Sequence, residues 1–171
     1  PAADFRAAHS SSRLDVTHGA DPRERHDLFL PNQNAKGLFV FVHGGFWFRL
    51  DKSYWSHLAA GALAHTYAVL MPSYPLCPNV RVRDIAASVA TAIEQAAGNI
   101  SGPIILSGHS AGGQIMTRLV AEGTALSPAT LVRVRDVVSI SGVHDLRPLL
   151  RTQLNEKIGL NEAEAMAESP A

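Results

Sequence analysis

Apolar and polar positions along the chain fall into two alternating rhythms. The segments GLFVFVH (37–43), YAVLMPSY (67–74) and PIILSGH (103–109) are almost continuously apolar, as strands covered on both faces are, and VRDVVSISG (134–142) makes a fourth such run. Between them the apolar spacing changes to three and four. Trp55, Leu58, Ala59, Ala62 and Leu63 share one helical face, and Val82, Ile85, Ala86, Val89 and Ile93 share another. Asp51 and Ser53 are placed to start the first of these helices. Nearer the start, RLDVTH (13–18) and RHDLFL (25–30), the latter closed by Pro31 and Asn32, predict two antiparallel edge strands. Strand and helix therefore alternate, which predicts an α/β fold over residues 1–171 as a single domain, with a mostly parallel sheet and helices on both faces. Ligands on such sheets collect at the carboxyl ends of the strands.

Two motifs fall at those ends. In GHSAGG (108–113) the pattern Gly108-x-Ser110-x-Gly112 lies between an apolar strand and the helical run QIMTRLVAEG. That context makes Ser110 a candidate nucleophile on a sharp strand-to-helix turn, with the Ala111 N–H at a helix start able to point at an oxyanion. A glycine-rich turn with Ser110 as a plain helix N-cap is the alternative. HGGFW (43–47) directly follows GLFVFV, where the oxyanion-hole loop of HGGG-type hydrolases lies. Gly44 and Gly45 would bare their N–H groups there, with His43 bracing the loop; two glycines in a core-packed loop are the alternative.

These residues carry a resemblance. The chain resembles the α/β-hydrolase superfamily and, within it, the serine-dependent kynurenine formamidases and their esterase relatives. HGGFW looks like the formamidase version of the loop, with Trp47 where many lipases have a third glycine, and GHSAGG looks like the shared nucleophile elbow. SGVHDLRPLL (141–150), RHDLFLP and MPSYPLCPNVRVRDI are similar to formamidase segments too, so the likeness runs from about residue 13 onward. It implies an α/β-hydrolase fold and a serine hydrolase that cleaves N-formyl-L-kynurenine to kynurenine and formate. Ser110 would be the nucleophile, Gly44, Gly45 and Ala111 the oxyanion hole, and Phe46 and Trp47 part of the substrate pocket. For Phe48, Tyr54, Trp55 and Tyr74, core packing is the expectation. A general carboxylesterase is the alternative chemistry.

The base that must activate Ser110 is less legible. The superfamily order is nucleophile, acid, histidine, and after Ser110 the sole histidine is His144. It adjoins Asp145, and neighbours on a chain point in different directions, which makes them a poor relay. Both also lie in SGVHDLRPLL, where the family does not keep its catalytic pair. The resemblance thus implies that acid and histidine lie beyond Ala171, residues 1–171 being the amino-terminal two-thirds of the fold, apparently truncated at its C-terminal end. A shortened relative surviving as a catalytically silent interaction module is the alternative.

Composition narrows the partners. Fifteen basic and fifteen acidic residues balance, so no net field gathers nucleic acid or an anionic membrane, and a small aryl formamide or ester is expected. The longest apolar stretches fall short of a bilayer span, and a cytoplasmic protein is expected. Open sheet edges leave room for a homodimer. Cys77 is the lone cysteine and, in the loop PLCPN, reads as an apolar filler. His18, His26, His57, His65 and His109 accompany no metal-binding pattern, so neither metal nor cofactor is expected.

Overall fold

Residues 38–42 show how the sheet divides the molecule. Leu38, Val40 and Val42 point to one face and Phe39 and Phe41 to the other, the period of two that a strand imposes. In the computed structural model, which describes residues 1–9 and 12–170, this strand, β3 (Leu38–Val42), lies near the middle of a six-stranded sheet. The others are β1 (Arg13–Thr17), β2 (Arg25–Phe29), β4 (Ala68–Pro72), β5 (Ile104–His109) and β6 (Val134–Ile140). Their order across the sheet is β1-β2-β4-β3-β5-β6. The last four pair in parallel, and β1 and β2 run antiparallel, so the sheet is mixed and mostly parallel, as expected.

Helices cover both faces. The larger core joins Leu38, Val40, Leu70 and Leu106 to α3 (Val82–Ala97) and α4 (Ala111–Arg118), which bury Ile85, Ile93 and Ile115. The smaller joins Phe29, Phe41, Val69 and Met71 to Phe5 of α1 (Ala2–Ala8) and to Ala59 of α2 (Ala59–Ala64). Helix α1 has no counterpart in the periodicity reading. It is held by Phe5 edge-on to Phe29 at 5.4 Å and by Arg6, which pairs with the fully buried Asp27. Lys52 reaches the same carboxylate at 2.9 Å, so a buried charge is met by two cations from distant parts of the chain.

Four expectations are corrected. Of the two early strands only β1 is at an edge; β2 lies inside, paired with both β1 and β4, and its last four residues are buried. The run 134–142 is not covered on both faces. Strand β6 pairs only with β5 among the described strands, and Val138 and Ile140 are about half exposed. The helix around Trp55 is broken into two single 3-10 turns before α2, and Tyr54 stands 59% exposed instead of packing in the core. Its start is as expected, with Asp51 accepting the Ser53 N–H at 2.7 Å.

The arrangement fixes one place. Val42 and Gly108 are partners in the β3–β5 ladder, so the loop after β3 and the turn after β5 emerge side by side at the carboxyl edge. The remaining short helices, α5 (Pro128–Leu131), α6 (Asn155–Ile158) and α7 (Glu162–Ala167), flank β6 in sequence.

Candidate active site

Ser110 sits where β5 becomes α4, with φ 54° and ψ −118°. A non-glycine residue rarely takes this conformation, and holding it costs on the order of 1–3 kcal/mol. The surroundings enforce it. The Ser110 N–H donates to the Ile140 carbonyl at 2.9 Å, and its carbonyl accepts the Gln114 N–H at 3.1 Å. A methyl group on Gly112 would lie 2.1 Å from the Val42 carbonyl oxygen, so only glycine lets α4 approach the end of β3 this closely. The Ser110 side chain makes no capping hydrogen bond, which removes the N-cap alternative. Ser110 is half-buried, and its hydroxyl caps no N–H of the helix.

The loop after β3 closes over the same point. A methyl group on Gly44 would lie 3.0 Å from Ser110 Cβ and 2.8 Å from the His109 carbonyl oxygen. Gly45 adopts φ 128°, open only to glycine, and its carbonyl accepts from the N–H groups of Phe48 and Arg49. Among the described residues the N–H groups of Gly44, Gly45 and Ala111 have no acceptor in the backbone network. An unpaired N–H is normal in the first turn of a helix and unusual in a buried loop.

His43 braces this loop. Its ring is buried, its Nδ1 lies 2.6 Å from the Gly44 carbonyl, and it stacks on Tyr74 with ring centroids 4.4 Å apart. A carbonyl only accepts, so Nδ1 carries the proton. Burial pulls the imidazole pKa down to about 4, which leaves His43 neutral.

Trp47 is a correction. It is 1% exposed, packed in the larger core, and its Nε1–H donates to Gln114 Oε1 at 3.0 Å. Gln114 in turn donates to the Glu168 carbonyl at 2.8 Å, so Trp47 ties loop to helix and does not form a pocket wall. Phe46, by contrast, is 42% exposed with φ 55°, beside the paired glycines.

The family model described as alpha/beta hydrolase family matches residues 39–167. The chain belongs to the α/β-hydrolase family. As expected from its motifs, this α/β hydrolase is similar to the kynurenine formamidases of Danio rerio (29% identity) and Drosophila melanogaster (27%), over 92% of the chain and 55% of each relative. The chain thus spans about half the length of these curated relatives. Among solved structures it matches a candidate thioesterase from Silicibacter with 50% identity and TM-score 0.96, over 99% of the chain and 64% of that one. Thermogutta terrifontis esterase 2, phosphoramylated by tabun, matches with 20% identity and TM-score 0.72 over 95% of this chain and 66% of that one, a likeness of fold.

His144 does not reach Ser110. Its Nδ1 lies 3.2 Å from Thr117 Oγ1 and its Nε2 3.2 Å from Ser139 Oγ, so both ring nitrogens are already engaged. Asp145 turns away to form a two-pronged pair with Arg147 at 2.8 Å. Cys77 is buried, and its thiol pKa is pushed up to about 11 by burial, which suits a filler and not a nucleophile. A cavity of about 970 Å³ opens between Arg147, Leu150, Leu160 and Met166; neither Ser110 nor Phe46 lines it. Among the described residues, no cluster of three or more His, Cys, Asp or Glu could hold a metal. No helix among them is long and apolar enough to cross a membrane.

Sequence reasoning missed two contributors. Tyr74 and Gln114 are the polar groups behind the loop; Tyr74 lies in the segment MPSYPLCPNVRVRDI and Gln114 just after GHSAGG, but only their contacts distinguish them from core residues.

Proposed function

We propose that this chain carries the nucleophile and oxyanion hole of a serine hydrolase acting on a small formyl or acyl compound, with an N-formyl arylamine such as N-formylkynurenine as the favoured substrate. The observation that carries it is the strained Ser110 backbone, with its hydroxyl uncapped and Gly44 packed against it. Backbone strain at a turn whose side chain caps nothing is characteristic of functional positions.

Ser110 Oγ attacks the formyl carbon while its proton passes to a base. The carbonyl oxygen becomes negative and is met by the N–H groups of Gly44, Gly45 and Ala111. The C–N bond then breaks, the arylamine leaves with the proton, and water hydrolyses the formyl-serine to release formate. Both ring nitrogens of His144 are engaged elsewhere, so His144 is not the proposed base. Phe46, which is exposed, is the side chain proposed to meet the aryl group.

The likeness to kynurenine formamidases over 92% of the chain supports the formamide reading. The 50% identity to a candidate thioesterase supports a second, cleavage of a thioester or ester by the same serine. Rates on a formyl-anilide, an aryl acetate and an acyl thioester, measured with the full-length protein, separate the two. A preference for the formyl-anilide is expected, with all three rates lost in Ser110→Ala; turnover surviving that substitution contradicts both.

A further inference from the structure

We infer that Tyr74 and Arg23 are positioning residues for the oxyanion-binding N–H groups, an inference resting on the hydrolase reading of Ser110. A trans peptide holds its carbonyl and the N–H of the next residue in one plane, pointing in opposite directions, so whatever anchors the carbonyl aims that N–H. Two consecutive peptides of the loop are anchored in this way. The Tyr74 hydroxyl donates to the His43 carbonyl at 2.9 Å, and that carbonyl shares its plane with the Gly44 N–H. The His43 Nδ1–H donates to the Gly44 carbonyl at 2.6 Å, and that carbonyl shares its plane with the Gly45 N–H. Both N–H groups are therefore directed away from the anchors by side chains standing behind the loop.

Tyr74 serves both anchors. Its ring is fully buried and lies 10° from parallel to the His43 ring, which fixes the imidazole plane from which Nδ1–H donates. Tyr74 is in turn held from outside the loop. Arg23, between β1 and β2, donates through Nε to the Tyr74 carbonyl at 3.0 Å and through its terminal nitrogen Nη2 to the Leu50 carbonyl. One guanidinium thus joins the residues after β4 to the far end of the glycine loop, using the fork geometry that lysine lacks. Neither side chain is bonded to Ser110; each acts through the carbonyls of the loop.

Preorganised donors stabilise the transition state because they need no reorientation when charge develops. Loss of the Tyr74 hydroxyl should leave substrate binding alone and weaken whatever resembles the tetrahedral intermediate. The test compares full-length wild type, Tyr74→Phe and Arg23→Lys by kcat and KM on an aryl acetate and by Ki for a trifluoromethyl ketone, which forms a tetrahedral adduct with serine. For Tyr74→Phe we expect kcat to fall about tenfold or more with KM within about twofold, and Ki to rise as kcat/KM falls. Arg23→Lys should move the same quantities in the same direction by about threefold to tenfold. KM and Ki do not depend on the fraction of enzyme folded, so poor folding of a variant cannot imitate this pattern. An unchanged Ki, or a KM that rises in step with Ki, overturns the positioning role. Turnover that survives Ser110→Ala, run alongside, contradicts the hydrolase reading itself and the positioning role with it.

Discussion

Gly44 approaches Ser110 so closely that a methyl group on the glycine would lie 3.0 Å from the serine Cβ. The second obstacle is backbone, the His109 carbonyl oxygen at 2.8 Å, which cannot swing aside as a flexible side chain would. Gly44→Ala should therefore push the loop off the elbow. We expect the full-length protein to lose at least about tenfold in kcat, with a stability cost of about 1–3 kcal/mol from overpacking, measured by steady-state kinetics and urea unfolding.

Trp47 supports the loop from inside. Trp47→Phe removes the donor to Gln114 Oε1, leaving a buried acceptor unpaired at a cost of about 1–3 kcal/mol. The melting temperature should drop by several degrees while KM for a small aryl ester stays within about twofold. A large KM change with unchanged stability would return Trp47 to the pocket wall.

His144 is held by Thr117 and Ser139 and has no proton-transfer role in this account. His144→Gln should keep kcat within about threefold of wild type, whereas removal of a general base costs about a hundredfold or more.

Buried histidines set an acid limit to stability. Burial lowers the pKa values of His26 and His43 to about 4 and lowers that of His18 as well, against about 6.5 in an unfolded chain. The unfolded state therefore takes up protons first as pH falls. Stability from these groups is complete above about pH 6.5 and is lost progressively as pH falls toward 4, by a few kcal/mol in total. Asp15, whose carboxyl is held below its usual pKa chiefly by a hydrogen bond from Lys52, loses its contribution only in more acid solution. Urea unfolding at pH 7.5, 6 and 5 should show declining midpoints; a flat series would mean that the histidines are solvated.

Much of this was legible in the amino-acid sequence because the parallel strands are short, apolar and bounded by glycine and proline. Residues 37–43, 67–74 and 103–109 appear as strands with the turns that follow them, and Ser110 and Gly44 are marked by motifs at the ends of those strands. The positions of β2 and β6 in the sheet were not legible, since an apolar run says that a strand has buried faces and not which neighbours cover them. Nor was the role of Trp47. An aromatic next to a glycine pair can face a pocket or the core, and only the contact with Gln114, 67 residues away, decides it. Tyr74 is similar: its sequence neighbourhood suggests core packing, and the core is where it lies, but its hydroxyl reaches back to the carbonyl of His43.

Intact-mass spectrometry after exposure to a fluorophosphonate asks whether Ser110 is an activated nucleophile. The full-length protein should take up a single adduct, absent in Ser110→Ala and formed more slowly in Tyr74→Phe. An adduct that persists in Ser110→Ala, or no adduct on the wild type, would contradict that role for Ser110.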